Sequence, residues 1–267
     1  MATKNSLKTA RGPASPPYAH GPYEWNQICV NNKPSVDSSH RYVLSENFAR
    51  KPAANDTIDD VWTAEAARNA NINFELLGTN ASDGDVTFST TIGGLQLQTD
   101  GGSADQIIIL PHLDAGQSAW SSVKWGTENQ VVWEAVIRTG SSIAAVTIWA
   151  GLKLTNTEAV ATDDDSIYFR FDTGDTHWEC VYAIADTDVE TASKVTVAAA
   201  TNYYLRIEID RDRIGHFFID NVEVGRTTAL TNNIDLIPYI GVQADAAAVK
   251  TINLIKQKIS RIIFESS

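Results

Sequence analysis

Alternation of apolar and polar residues with a period of two is the feature of this sequence that most constrains its fold. Successive side chains of a β-strand point to opposite faces, so each alternating segment predicts a strand with one buried face. Turn-forming clusters rich in glycine and aspartate separate the segments. The clearest alternating segments are residues 131–138, 167–172, 178–184 and 203–210. About a dozen short strands with no convincing helix among them predict an antiparallel sandwich.

One segment predicts two consecutive hairpins in detail. Residues 203–224 read YYLRIEIDRDRIGHFFIDNVEV, with a turn at Asp210 to Arg213 and a two-residue turn at Asp220-Asn221. An Asp-Asn pair suits a type I′ turn, whose central residues need positive φ. The second hairpin is expected to bury apolar side chains across its strands, with Phe217 and Ile219 opposite Val222 and Val224.

This hairpin, the strand predicted at residues 237–243 and the closing strand predicted at 258–264 together resemble the concanavalin A-like jelly roll of laminin G domains and legume lectins. The resemblance covers about residues 70–267. It implies an all-β, antiparallel jelly-roll sandwich, here with an extended N-terminal arm and one short helix. It implies no single activity, because the fold hosts lectins, hydrolases, lyases and virion proteins. Residues 100–116 and 148–157 look like domains of tailed-phage structural proteins.

The N-terminal stretch differs in composition from the rest of the chain. Six of the eight prolines fall in the first 52 residues, and the first 51 carry seven basic against three acidic side chains. Proline removes a backbone donor, so this stretch is expected to run extended, outside any ladder or helix. We expect residues 1–55 to form a docking arm, 56–71 a short helix or linker, and 72–267 the sandwich; a disordered tail is the alternative to the arm. The expected partner-binding residues of the arm are Tyr18, Tyr23, Trp25, Ile28, Tyr42 and Phe48.

Charge and cysteine usage exclude several function classes. The formal net charge is −12, which disfavours binding to a nucleic-acid backbone. No apolar run approaches the roughly 20 residues of a membrane span, and the first 13 residues lack the apolar core of a secretory signal. Cys29 and Cys180 are too few for a disulfide framework or a cysteine-based zinc site, and the sequence leaves open whether they pair.

Candidate catalytic and metal-binding patterns are weak. Glu208, Asp210 and Asp212 have the spacing of carboxylates on one strand face, but nearby arginines favour surface ion pairs, so no catalytic residue is assigned. The five histidines show no ligand spacing, and no metal site is assigned. Acidic turns at 163–165 and 172–175 would supply calcium ligands if they converged, although two separate solvated turns are the favoured interpretation.

The tryptophans allow a sugar site. Trp120, Trp125 and Trp178 would stack on sugar rings if they were exposed, whereas Trp133 and Trp149 alternate with polar neighbours and are expected in the core.

The leading hypothesis from the sequence is a noncatalytic virion protein that decorates or cements a phage capsid. In this hypothesis the arm docks on the major capsid protein or another virion protein, the assembly is a homo-oligomer such as a trimer, and no cofactor is required. The first alternative is a tail-fibre or tail-adaptor module of the same fold that binds host glycans. The second alternative is an enzyme that degrades polysaccharide.

Overall fold

The computed structural model describes residues 41–54, 73–112, 119–155 and 163–262. Residues Val43–Arg261 form one compact unit, and the fold below is that of this unit. The other unit, Met1–Tyr42 with Ile262–Ser267, is described only at residues 41, 42 and 262.

The described residues include sixteen strands and one short α-helix. The strands are β1 (Arg41–Glu46), β2 (Ala53–Ala54), β3 (Phe74–Leu77), β4 (Val86–Phe88), β5 (Leu95–Gln98), β6 (Gln106–Pro111), β7 (Val132–Thr139), β8 (Val146–Lys153), β9 (Ser166–Phe171), β10 (His177–Ile184), β11 (Thr187–Thr196), β12 (Asn202–Ile209), β13 (Ile214–Ile219), β14 (Val222–Ala229), β15 (Ile237–Ala244) and β16 (Thr251–Ile262). The helix α1 is Ala119–Ser122, and single 3₁₀ turns lie at Asp83–Asp85 and Thr127–Asn129.

The strands form two sheets that pack face to face. The first sheet has the order β14-β13-β12-β7-β16-β5-β4, with β1 also pairing with β16. The second has the order β11-β10-β9-β8-β15-β6-β3-β2. Adjacent strands whose residue-by-residue pairing is resolved run antiparallel, except β2 and β3, which run parallel. The predicted antiparallel sandwich is therefore confirmed.

Aromatic rings from both sheets meet in the core. Phe169 of β9 packs edge-on against Phe217 of β13 with ring centroids 5.2 Å apart, and Trp178 of β10 packs edge-on against Tyr203 of β12 at 5.5 Å. These contacts identify the inner face of each strand, because alternate residues point to opposite sides. Burying each large ring stabilises the fold by roughly 2–3 kcal/mol.

The hairpin of β13 and β14 confirms its predicted turn and corrects its predicted register. Asp220 and Asn221 both have positive φ, at 50° and 68°, as a type I′ turn requires. A register shift between Phe217 and Phe218 places Gly225 opposite Phe217. Val222 lies opposite Ile219 as predicted, but it is not buried, and 64% of it is exposed.

The described part of the predicted arm contributes strands. Arg41–Glu46 and Ala53–Ala54 belong to the two sheets, so residues 41–54 differ from the expected extended arm outside any ladder. The reason is that residues 41–46 supply backbone donors and acceptors that pair with β16, and no proline interrupts them. The helix predicted at 56–71 lies outside the described residues. Within the described ranges, no helix is long and apolar enough to cross a membrane.

Candidate functional site

The outer face of the second sheet, turned away from the first sheet, carries the most varied set of functional groups. Ile167, Phe169 and Phe171 of β9 are buried, and Phe169 contacts the first sheet, so Tyr168 and Arg170 point to the outer face. Register then extends this face across the sheet. Tyr168 lies opposite Val181 of β10 and Gly151 of β8, and Arg170 lies opposite Glu179 and Trp149.

Three aromatic side chains, which we call the aromatic patch, pack together at the centre of this face: Trp149, Tyr168 and Tyr239. All three are buried, with 8%, 4% and 0% exposed respectively. The rings of Tyr168 and Tyr239 meet edge-on with centroids 5.9 Å apart. Two glycines beneath the patch leave room for these side chains: a Cβ on Gly151 would lie 2.5 Å from the Tyr168 Cα, and one on Gly241 would lie 2.9 Å from an Ile108 side-chain carbon and 3.4 Å from the Trp149 ring. Apolar side chains of neighbouring strands surround the patch, namely Ile108, Leu110, Val181 and Ile237.

A hydrogen-bonded chain of side chains, which we call the polar row, runs across four strands beside the patch. Gln106 of β6 donates to Gln243 of β15 at 2.5 Å, and Gln243 donates to Asp245 at 2.9 Å. The Thr147 hydroxyl on β8 lies 2.8 Å from Asp172 Oδ1 and 3.0 Å from Asp245 Oδ2, and it donates to one of them. Apart from Thr147, the members of the row are half-buried, so their amide and carboxylate groups are held in fixed positions and still reach solvent.

Three carboxylates, which we call the acidic cluster, lie at the β10–β11 side of the same face. Asp175, Glu179 and Glu190 each offer an oxygen within 4.8 Å of the others. Arg170 forms an ion pair with Glu190, with nitrogen and oxygen 2.5 Å apart. Burial raises the pKa of Glu179, and the negative charges of Asp175 and Glu190 raise it further, whereas Arg170 opposes the rise.

On the other side of this face, Lys153 and Asp163 form a buried ion pair. Lys153 Nζ lies 3.9 Å from Asp163 Oδ2 and 5.5 Å from the centre of the Tyr239 ring. Burial lowers the pKa of Lys153, and the Asp163 carboxylate opposes that shift. Asp163 also accepts hydrogen bonds from the backbone of Leu154 and Thr155. This side of the face is therefore a packed structural region, and the accessible groups belong to the polar row and the acidic cluster.

Of the residues predicted to bind a partner through the arm, the structure describes two, and they differ in burial. Tyr42 is half-buried on β1. Phe48 is 1% exposed, and its ring packs 5.2 Å from that of Phe74 on β3, so this side chain fills the sandwich core. Tyr18, Tyr23, Trp25 and Ile28 lie outside the described residues, and docking of the arm on a partner stays a prediction.

The three tryptophans that would bind sugar if they were exposed are not exposed. Trp120, Trp125 and Trp178 are buried, and Trp125 donates its indole N–H to the Trp120 carbonyl oxygen at 2.9 Å. The reason is that strand and turn tryptophans supply the large apolar surface that a two-sheet core requires. Trp133 and Trp149 are buried as predicted, but Trp149 faces outward, where 8% of it remains exposed.

The carboxylates at 208–212 lie on the first sheet and are engaged in local bonds. Glu208 pairs with Arg206 at 3.3 Å. Asp210 accepts backbone hydrogen bonds from Asp212 and Ile214, and His216 lies 3.3 Å from it. Although burial opposes the shift, these bonds lower the pKa of Asp210. An arginine ion pair of the kind expected from the sequence therefore forms at Glu208, whereas the carboxylate of Asp210 pairs with His216 instead.

The two acidic turns do not converge as a calcium site. Asp163 bonds Lys153 and local backbone, and Asp165 accepts a hydrogen bond from Thr231. Among the described residues, the acidic groups that do come together are those of the acidic cluster, and only Asp175 of this trio belongs to a predicted turn. Sequence reasoning missed Glu179 and Glu190, because each sits on a different strand and only the β10–β11 register brings them together.

Comparison with known proteins identifies the fold. No protein-family model and no curated protein matches the chain. A solved protein of unknown function from Shewanella oneidensis MR-1 is 10% identical over 90% of this chain and 95% of that chain, with a TM-score of 0.56. Alginate lyase A1-II′ of polysaccharide lyase family 7 is 12% identical over 69% and 86%, with a TM-score of 0.51. The beta-glucanase of Bacillus licheniformis is 9% identical over 81% and 97%, with a TM-score of 0.51.

These likenesses show that the chain has the concanavalin A-like jelly-roll fold that its sequence resembles. They also correct the expectation of a noncatalytic protein, because a lyase and a glucanase share the fold. That expectation rested on the lack of a catalytic carboxylate pair in the sequence, on the aromatic side chains among the prolines of the arm, and on the opposite charges of the arm and the body. It overlooked the outer face of the second sheet, where the carboxylates come from a turn and two strands.

Proposed function

We propose that this protein binds carbohydrate on the outer face of the second sheet. The observation that carries the proposal is the polar row, whose half-buried amide and carboxylate groups reach solvent in fixed positions on one face. A sugar ring carries a rim of hydroxyls, which donate and accept hydrogen bonds, so donors and acceptors held in fixed positions are suited to recognise it.

The residues of the polar row suit hydroxyl recognition. The amides of Gln106 and Gln243 offer donors and acceptors, and the carboxylates of Asp172 and Asp245 accept charge-assisted hydrogen bonds. Because these groups already hold one another in place, ordering them on binding costs little conformational entropy. The fold supports the proposal, since an alginate lyase and a beta-glucanase resemble this chain over most of its length.

Net charge favours neutral carbohydrates as ligands. The chain carries −12 at pH 7, and the accessible part of the face contains Asp172, Asp175 and Glu190 against Arg170. A polyanionic glycan would be repelled at long range and would leave carboxylates facing carboxylates. We therefore expect binding of neutral oligosaccharides to change little with salt, and binding of uronate-rich oligosaccharides to be weaker at low salt than at high salt.

The test is a glycan array followed by calorimetry with Gln243→Leu, which removes the amide that links Gln106 to Asp245. We expect binding of the selected oligosaccharide to weaken about tenfold, since a lost hydrogen bond in a binding site is worth about 1–1.5 kcal/mol. The matched control is Gln96→Leu, a half-buried glutamine on β5 of the first sheet, which should bind like the wild type.

Two results would contradict the proposal: no binding of any oligosaccharide by the wild type, or equal weakening by both glutamine variants. The same oligosaccharides should be assayed for cleavage products, because the fold is shared with enzymes. The virion role expected from the sequence stays a prediction, and the similar structures described above give it no support.

A further inference from the structure

We propose that Asp175, Glu179 and Glu190 bind a divalent metal ion, with calcium as the best fit, at the β10–β11 side of the second sheet. Their oxygens lie within 4.8 Å of one another. Calcium binds oxygen ligands at 2.3–2.6 Å, so two oxygens on opposite sides of the ion lie about 4.6–5.2 Å apart. The three carboxylates are thus already at the separation that a shared ion requires.

Glu179 is the residue that points to a ligand. Only 8% of it is exposed, and among the described residues its carboxylate has no hydrogen bond and no ion pair. A carboxylate on a residue that is largely withdrawn from water and has no donor gains more from a bound cation than a fully exposed carboxylate does.

Charge balance favours a divalent ion over a proton. Arg170 already pairs with Glu190, so three carboxylates and one guanidinium leave two negative charges in excess. A proton on Glu179 would remove one of them, whereas a divalent ion would remove both. The next acidic groups, Asp172 and Asp188, lie on the same face and add further negative potential.

The ligand atoms and their exposure favour calcium. All three groups are carboxylates, which hard cations prefer, and the trio contains no nitrogen or sulfur ligand that would select zinc or copper. Glu190 is exposed and Asp175 half-buried, so water has access to the remaining coordination positions. Calcium accepts six to eight ligands in irregular geometry, whereas magnesium demands a near-ideal octahedron that a turn and two strands are not built to supply.

The test is calorimetric titration of the EDTA-treated full chain with calcium chloride and, separately, magnesium chloride, without any sugar. We expect calcium to bind with a dissociation constant between about 10⁻⁵ and 10⁻³ M, and more tightly than magnesium. Glu179→Gln should weaken calcium binding at least tenfold. Asp188→Asn, an exposed carboxylate two residues from Glu190 on β11, is the matched control: it lies outside the trio, so its substitution should weaken calcium binding far less than Glu179→Gln does.

Thermal unfolding separates a metal ligand from a residue that only supports the fold. In EDTA, Glu179→Gln should melt at or above the wild-type temperature, because it removes a buried and repelled charge. In calcium the order should reverse, because only the wild type gains stability from the ion. If Glu179→Gln does not fold, Asp175→Asn takes its place in both measurements.

No calorimetric signal and no shift in melting temperature at about 10 mM of either metal would overturn the inference, because that concentration exceeds the weakest affinities of calcium modules in proteins. Calcium binding that is unchanged in Glu179→Gln would overturn it as well. Because the experiment contains no carbohydrate, its failure leaves the carbohydrate proposal standing, and the reverse also holds.

Discussion

Single small residues set how closely the two sheets approach. Gly225 of β14 lies directly across the core from Cys180 of β10, and a Cβ added at residue 225 would lie 2.8 Å from the Cys180 sulfur. Cys180 is buried, and burial together with the charge of Glu179 raises the pKa of its thiol to about 12. The thiol is therefore protonated at neutral pH and acts as a small packing group rather than as a nucleophile.

This contact gives a prediction about Gly225→Ala. The added methyl group would overlap the Cys180 side chain, so we expect the free energy of unfolding to fall by about 1–3 kcal/mol in urea titrations. The double variant Gly225→Ala with Cys180→Ala should recover most of the loss, because the two substitutions act on one contact. Gly84→Ala is the control, since the nearest atom to its added Cβ is a serine hydroxyl at 3.5 Å. If Gly225→Ala and the double variant lose the same free energy of unfolding, the overlap with Cys180 is not the cause.

At the scale of elements, the hairpin of β13 and β14 is held by charges at its exposed surface. Glu223 accepts hydrogen bonds from Arg226 and lies 2.8 Å from His216 Nδ1. The hydrogen bond from Arg226 is the main cause, and His216 a further one, that lowers the pKa of Glu223 from 4.5 to about 2. The folded state thus favours the ionised carboxylate more strongly than the unfolded chain does.

The sign of the pH dependence follows from this lowered pKa. The stabilisation by Glu223 is complete above about pH 4.5 and is lost as the pH falls toward 2. In Glu223→Gln, the free energy of unfolding should fall less steeply over that interval than in the wild type. The difference should be about 1 kcal/mol or less, because water screens a pair at the surface. The control is Asp212→Asn in the exposed turn before β13, which removes a carboxylate that is not part of the contact between Glu223, Arg226 and His216. Parallel pH profiles for wild type and Glu223→Gln would contradict the assignment.

The elements also show what the sequence could predict. The period of two predicted β7, β9, β10 and β12, and the Asp-Asn pair predicted the type I′ turn, because both signals are local. The register shift at Phe217 was not predictable, since it depends on pairing between strands. The outer face of the second sheet was missed for a related reason. β8 is buried at all eight positions, so burial along this strand does not separate the side chains that face the other sheet from those that face outward.

At the scale of the whole molecule, neither outer face of the sandwich is a simple solvated surface. On the second sheet, Lys153 and Asp163 are buried together. On the first sheet, buried Lys258 forms an ion pair with Glu134, which also accepts a hydrogen bond from Tyr204. Buried ion pairs contribute little net stability, but removing one partner is costly because the other charge is left uncompensated. Both faces therefore constrain the sequence, and the candidate site occupies the part of the second face where polar groups still reach solvent.

The N-terminal segment gives a prediction about the extent of this unit. Phe48 packs on Phe74, and Phe74 packs in turn on Trp120 of α1 with ring centroids 4.9 Å apart. Phe48→Ala would leave a cavity in this cluster and should lower the free energy of unfolding by about 3–5 kcal/mol. Phe88→Ala on β4 is the control: 48% of Phe88 is exposed, so its loss should cost about 1 kcal/mol or less.

The same reasoning applies to shortened chains, and it changes where the sandwich should be taken to begin. A chain starting at Ile72 lacks β1, β2 and Phe48, whereas a chain starting at Arg41 keeps all three. Urea unfolding should show the shorter chain to be less stable by at least the amount lost in Phe48→Ala, because it loses backbone pairing with β16 as well as the buried ring. Equal stability of the two chains would mean that residues 41–54 add nothing to the core, and the docking arm would then extend to residue 55 as the composition predicted. A large difference would confine any docking arm to the residues before β1.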